Sequence, residues 1–189
     1  VSLTSVSNTM TATKSAVAAS GAGSSDLGQN IGGTSGVTYA KVNYTVTVAS
    51  TGSTAVDEII DTPPSSTIYV TGSGTYTDVN NTNKAIVPVL STSESSLNPQ
   101  PKHFIGPFAA SASQSVVLTY SLWIPLTSGT YQNTVYAKSG DQTVGASATT
   151  TGGVAVITNG STITSTNTSN VGTPPTATTL SPLSINSTA

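Results

Sequence analysis

Few residues in this chain could do chemistry: one histidine, seven acids and five lysines, with no arginine and no cysteine. His103 lies between Lys102 and Phe104, where a loop passes into a strand. A lone imidazole with no partner at motif spacing makes no acid–base constellation, so it reads as a packing or surface residue. One histidine and no cysteine exclude a structural zinc site. Asp57, Glu58 and Asp61 could offer oxygens to calcium, but they lack a spaced, glycine-punctuated ligand loop and read as a solvated turn. No pair of carboxylates with distinct environments can be named for hydrolysis, so no catalytic residue and no metal or cofactor site is expected.

Two covalent chemistries are left. Surface β domains can join a lysine to an asparagine through a nearby carboxyl, and Lys41, Asn133 and Glu58 are the candidate set. Parity opposes it: Lys41 is opposite the apolar face of its strand, whereas Asn133 shares the apolar face of its own. The second is N-glycosylation, for which Asn43, Asn80, Asn159, Asn167 and Asn186 each open an acceptor triplet. In so Ser- and Thr-rich a chain such triplets also arise by chance, and the set carries more weight than any one site. Covalent glycans are the only non-protein groups expected.

The elements that position these residues are strands. In Tyr39 to Thr62, Val42, Tyr44, Val46 and Val48 alternate with Lys41, Asn43, Thr45 and Thr47, the period of a strand with one face in a core. Thr51-Gly52-Ser53 supplies turn chemistry before Val56, Ile59 and Ile60, and the pattern predicts a β-hairpin with Asn43 on its solvent face. Ser115 to Ile124 is the clearest strand and should be central. Thr130 to Lys138 follows, with Tyr131, Asn133, Val135 and Ala137 on one side, then a turn at Gly140-Asp141 into Val144, Ala146 and Ala148. Pro88 makes the run Ala85 to Leu90 an edge strand or bulge, and residues 91–102 form a loop. No segment combines helical periodicity with capping signals, so the fold is all-β.

Composition narrows the class further. Only 6% of the 189 residues are charged, against roughly 25% in ordinary soluble domains. With a net charge of only -2, this is not the composition of intrinsic disorder either. Hydroxyls, amides and sugars must wet the surface, and a surface with few titrating groups changes little in acid. Lacking arginine and carrying net negative charge, the chain has no footprint for nucleic acid. No apolar run reaches 18 residues, so no membrane span is expected, and a chain opening at Val1 reads as a mature secreted product. Without disulfides, stability must come from packing, glycans or assembly.

The ends differ from the body. In residues 1–20, Val6, Met10, Ala12, Ala16 and Ala18 share one parity, opposite a row of Ser and Thr. This long strand precedes a Gly/Ser-rich linker over 21–36, a sandwich over 37–158 and a Ser/Thr/Asn-rich segment over 159–189 expected to pack on it. A strand on such a leash can pair outside its own subunit or fold back onto its own sheet, and the pattern leaves both open.

From Val42 to about Lys138, the series VNYTVTVASTGSTAVDEIIDTPPSSTIYV, SVVLTYSLWIP and SGTYQNTVYAK resembles the immunoglobulin-like repeats of microbial surface proteins. It departs from them in having Ser50 where the turn commonly has Asn, and in its long ends. Those ends, with the glycan acceptors and the uncharged surface, make the whole resemble the archaeal thread pilins, subunits of glycosylated surface filaments of thermoacidophilic crenarchaea. The resemblance implies an immunoglobulin-like, pilin-like β-sandwich whose N-terminal donor strand, anchored by Val6, Met10, Ala12, Ala16 and Ala18, completes the neighbouring subunit. It further implies an extracellular head-to-tail homopolymer serving adhesion or biofilm formation, with surface glycans of other cells as possible partners. The competing reading is a monomeric surface adhesin or carbohydrate-binding module, with Trp123, Tyr120, Tyr131 and Tyr136 available to stack on sugar rings.

Overall fold

A computed structural model describes residues 8–19, 27–29, 38–125, 129–152, 156–158 and 163–165. Its strands in chain order are β1 (Met10–Ala18), β2 (Leu27–Gln29), β3 (Thr38–Ser50), β4 (Thr54–Thr62), β5 (Ile68–Tyr69), β6 (Thr75–Thr77) and β7 (Lys84–Ala85). There follow β8 (Lys102–Ala110), β9 (Val116–Pro125), β10 (Gly129–Ser139), β11 (Gln142–Gly152), β12 (Val156–Thr158) and β13 (Ile163–Ser165). The one helical element among the described residues is a 3-10 turn, Thr92–Glu94. No helix there is long and apolar enough to cross a membrane.

The strands form two antiparallel sheets facing one another, an all-β sandwich. The first runs β13-β1-β3-β9-β6-β7, with β2 also on β3 and β5 also on β9; the second runs β12-β11-β10-β4-β8. Alternation explains the faces. Val42, Tyr44, Val46 and Val48 of β3, and Val116, Leu118, Tyr120, Leu122 and Ile124 of β9, are buried against Val56, Ile59, Phe104, Phe108, Val135, Ala137 and Val144 of the second sheet. Tyr44 and Tyr120, cross-strand partners, stack with centroids 5.6 Å apart, and Phe104 closes on Tyr120 from the other sheet at 5.4 Å. Aromatic area therefore supplements a core cluster whose only leucines among the described residues are Leu118 and Leu122.

The predicted hairpin is not formed. β3 pairs with β1, β2 and β9, whereas β4 pairs with β8 and β10 in the other sheet, so Thr51-Gly52-Ser53 is a corner between sheets. Alternation fixes which face of a strand is buried and says nothing about its hydrogen-bond partner. The residues before β1 tie down this corner: Thr51 N–H donates to the Thr9 carbonyl (3.0 Å), and Asn8 Nδ2 donates to the Ser53 carbonyl (3.1 Å). Nor do Asp57, Glu58 and Asp61 form a solvated turn, since all belong to β4. A register shift between Val56 and Glu58 reverses the parity, leaving Glu58 outside and bringing Ile59 and Asp61 inward. Gly106 lies opposite that bulge, where a Cβ would run into the Val56 carbonyl oxygen.

β1 lies in its own molecule. It is antiparallel to β3 from Met10↔Ser50 to Ala18↔Val42, with β13 on its other edge from Met10↔Ser165 to Ala12↔Ile163. Met10, Ala12 and Ala16 are buried as their parity requires. Val6 and the Ala18 side chain lie outside the described residues, as do Asn159, Asn167 and Asn186. The 21–36 linker is not free along its whole length, because β2 within it continues the β1 edge along β3, Leu27↔Ala40 to Gln29↔Thr38.

Candidate functional site

The inward face of β1 carries a lysine. Lys14 follows Met10 and Ala12 on the same parity, and its side chain is 0% exposed, as is that of Asp61 on β4, which accepts a hydrogen bond from Lys14 Nζ at 2.5 Å. Tyr120 Oη donates to the same Asp61 oxygen, Oδ1, at 2.5 Å. Asn133 of β10, also 0% exposed, donates from Nδ2 to Tyr120 Oη at 3.3 Å. One carboxylate oxygen thus joins the amine and the phenol, and through the phenol the amide, so that the cluster spans four strands of both sheets. The Tyr44 and Tyr120 rings flank the amine, their centroids 5.1 and 5.4 Å from Nζ.

Burial strips water from this cluster. Loss of hydration lowers the Lys14 pKa from 10.5 to about 8, against the opposing pull of Asp61. Burial also raises the Tyr120 phenol well above its ordinary value, reinforced by Asp61, so it stays a donor. Among the described residues, Asp61 Oδ2 and Asn133 Oδ1 are buried without a hydrogen-bond partner. Native interiors rarely leave such atoms unpaired, and two of them in one cluster mark it as functional or strained.

The set read from sequence does not converge. Lys41 lies on the outer face of the first sheet over Trp123 (6.0 Å), Glu58 lies on the outer face of the second, and Asn133 is between them in the core. Asn133 belongs to a chemical cluster, but with Lys14 and Asp61. The missed signal was a lysine on the apolar parity of β1 and an aspartate two residues after Ile59.

His103 is held rather than free. Its Nδ1 meets Glu58 Oε1 at 2.5 Å and its Nε2 meets Glu94 Oε2 at 2.6 Å, with Lys138 Nζ 3.7 Å from Glu58 Oε2. Partial burial opposes the charged ring, but the bonds to Glu94 and Glu58 outweigh it and raise the pKa above 6.5. A base whose folded-state pKa is raised contributes stability that is complete below about 6.5 and lost as pH rises through the folded value. We expect the thermal midpoint to fall as pH rises from about 6 through that value, and His103→Gln to flatten the fall, measured by circular dichroism. An unchanged pH slope in the variant would contradict this.

Among the described acceptor triplets, Asn43 is exposed on β3 and accepts from Ser121 Oγ at 2.7 Å. Asn80 is exposed in a loop pinned by buried Asp78, which accepts from Asn80 N and Asn81 Nδ2, both at 2.9 Å. Tyr120, buried in the core, is not available to stack on a sugar; Trp123, Tyr131 and Tyr136 are half-buried. Among the described residues, no group of three His, Cys, Asp or Glu side chains could hold a metal ion.

No protein-family model matches this sequence, and comparison with curated proteins finds no match either.

Proposed function

We propose that this chain is the structural subunit of an extracellular, glycosylated filament, a pilus or thread, that polymerises head to tail. In this reading β1 of one copy enters the slot between β3 and β13 of the next, and the sandwich is immunoglobulin-like with an exchangeable N-terminal donor strand. The filament serves adhesion or biofilm formation, with identical subunits as principal partners and surface glycans of other cells as the adhesive ligand.

One observation carries the proposal. β1 fills a two-edged slot with Met10, Ala12 and Ala16 in the core, yet it is joined to β3 through a Gly/Ser-rich segment, residues 19–37, whose described residues meet β3 at Ala19 and at β2. An identical strand from a neighbour would make the same ladder and the same core contacts, so exchange changes the owner of β1 without changing the interface. It also hides sheet edges that would otherwise aggregate. The uncharged Ser/Thr surface and the exposed acceptors Asn43 and Asn80 suit an exterior location.

A second reading, a monomeric surface adhesin or carbohydrate-binding module, is favoured by the seating of β1 in its own molecule. Size-exclusion chromatography with negative-stain imaging separates the two. The filament reading expects void-volume material or ladders that survive mild detergent, and fibres in the image. A single species at the 18.8 kDa of one chain, at every concentration tested, would refute it.

A further inference from the structure

We propose that Lys14 and Asn133 are joined by an isopeptide bond that forms spontaneously within the folded sandwich, with Asp61 carrying the protons. The inference stands on the buried cluster and not on the filament reading, since it holds whichever copy owns β1.

The cluster has the parts such a reaction needs. The nucleophile is an amine in an aromatic pocket, 2.5 Å from Asp61 Oδ1, with its pKa lowered towards neutral pH by burial. The electrophile is a fully buried carboxamide whose Nδ2 is held by Tyr120 Oη, itself bonded to that same Asp61 oxygen. The Asn133 carbonyl oxygen has no partner among the described residues, and neither has Asp61 Oδ2. Asp61, once it takes a proton from the amine, can donate it to that oxygen and so polarise the carbonyl.

The bonds balance without a co-reactant. Asp61 takes one proton from the Lys14 ammonium, which frees the Nζ lone pair to add to Cγ of Asn133 and form the C–N bond, and the second amine proton then passes through Asp61 as well. Asp61 returns a proton to Nδ2, the Cγ–Nδ2 bond breaks, and ammonia leaves. The products are one secondary amide, one ammonia and Asp61 carrying the remaining proton of the ammonium, so no charge is left in the cluster. No electron changes hands. The dry site protects the tetrahedral intermediate from hydrolysis and holds the reacting groups at high effective concentration.

The product explains a placement that otherwise costs stability. An ion pair at 0% exposure is weak evidence for stability, because desolvation rivals attraction. An amide in its place is neutral and removes the penalty. It also ties the first strand to β10 of the opposite sheet, a cross-link suited to a chain without cysteine.

The test is the intact mass of the full chain, made in a host that adds no N-glycans, followed by peptide mapping. We expect a deficit of about 17 Da, one ammonia, with a branched peptide joining Lys14 to Asn133. Lys14→Arg should restore the full mass, and Asn133→Asp should give a deficit of about 18 Da, one water, at the same branch point. A chain folded by circular dichroism but with full mass would overturn the proposal. So would a branch joining Lys14 to Asp61. Boiling in SDS reports the owner of β1: a cross-linked monomer means a bond within one chain, a ladder means a bond between chains, and either is expected to carry the Lys14–Asn133 branch. Failure of the filament reading would leave the mass deficit intact, so the two can fail separately.

Discussion

Lys14→Met is expected to unfold with a free energy about 3–5 kcal/mol below that of the double variant Lys14→Met, Asp61→Asn, because the single change leaves the Asp61 carboxylate buried without a cation while β1 still covers it. The thioether fills much of the lysine's volume, so a cavity accounts for little of the difference. In the double variant the amide oxygen still accepts the Tyr120 hydroxyl and carries no charge to desolvate. Urea titrations of the single and double variants read this directly. Neither variant can form an isopeptide bond, so their difference isolates the unpaired charge from any cross-link in the parent chain. A double variant no more stable than the single would mean that packing, not charge, sets the role of Lys14.

The same cluster shows what the sequence discloses and what it hides. Period-2 alternation identified the buried faces of β3, β9 and β10, because a half-buried strand must sort its side chains by parity. It also set Asn133 among Tyr131, Val135 and Ala137, which made a buried amide legible before any fold was known. The partners were harder to read. Lys14 is hard to single out among Met10, Ala12 and Ala16, although a lysine on an apolar face implies a buried counter-charge or a reaction. Asp61 was masked by the bulge between Val56 and Glu58, which reverses the parity of β4 partway along. Asp57 and Glu58, which do lie outside the core, drew it into an apparent acidic turn.

Pairing was the least legible feature, for a physical reason. A three-residue corner such as Thr51-Gly52-Ser53 can return a strand along its own sheet or carry it across to the facing one. The choice depends on edges supplied from far along the chain. β3 finds its neighbours in β1 and β9, and β4 finds its own in β8 and β10. β8 gave little warning, since Gly106-Pro107 interrupts its apolar pattern, yet it brings Phe104 and Phe108 into the core and His103 to Glu58. The glycine is required where the backbone bulges past Val56. Close approach of two backbones overrides local strand preference there.

Met10→Asp should expel β1 from its slot while leaving both sheets of the sandwich formed and, on the filament reading proposed above, abolish polymer growth. Met10 is 0% exposed and is the largest apolar side chain that β1 contributes to the core. Its removal forfeits about 1.5–3 kcal/mol of burial, and an unpaired carboxylate in its place adds a penalty of roughly the same size or more. Lys14 cannot rescue it, since four residues along a strand separate the two by about 13 Å. The head tolerates the loss better than Lys14→Met would suggest: once β1 leaves, the slot opens, water reaches Asp61, and its charge is no longer stranded. Most of the remaining core, Tyr44, Tyr120, Phe104, Phe108, Ile59 and Val135, belongs to β3, β4, β8, β9 and β10. The expected result is β-sheet circular dichroism with no ladder in size-exclusion chromatography, together with full intact mass, because Lys14 no longer reaches Asn133. Met10→Leu, similar in volume and still apolar, should preserve both assembly and the mass deficit. Normal fibres from Met10→Asp would show that this face of β1 does not fill the slot in the polymer.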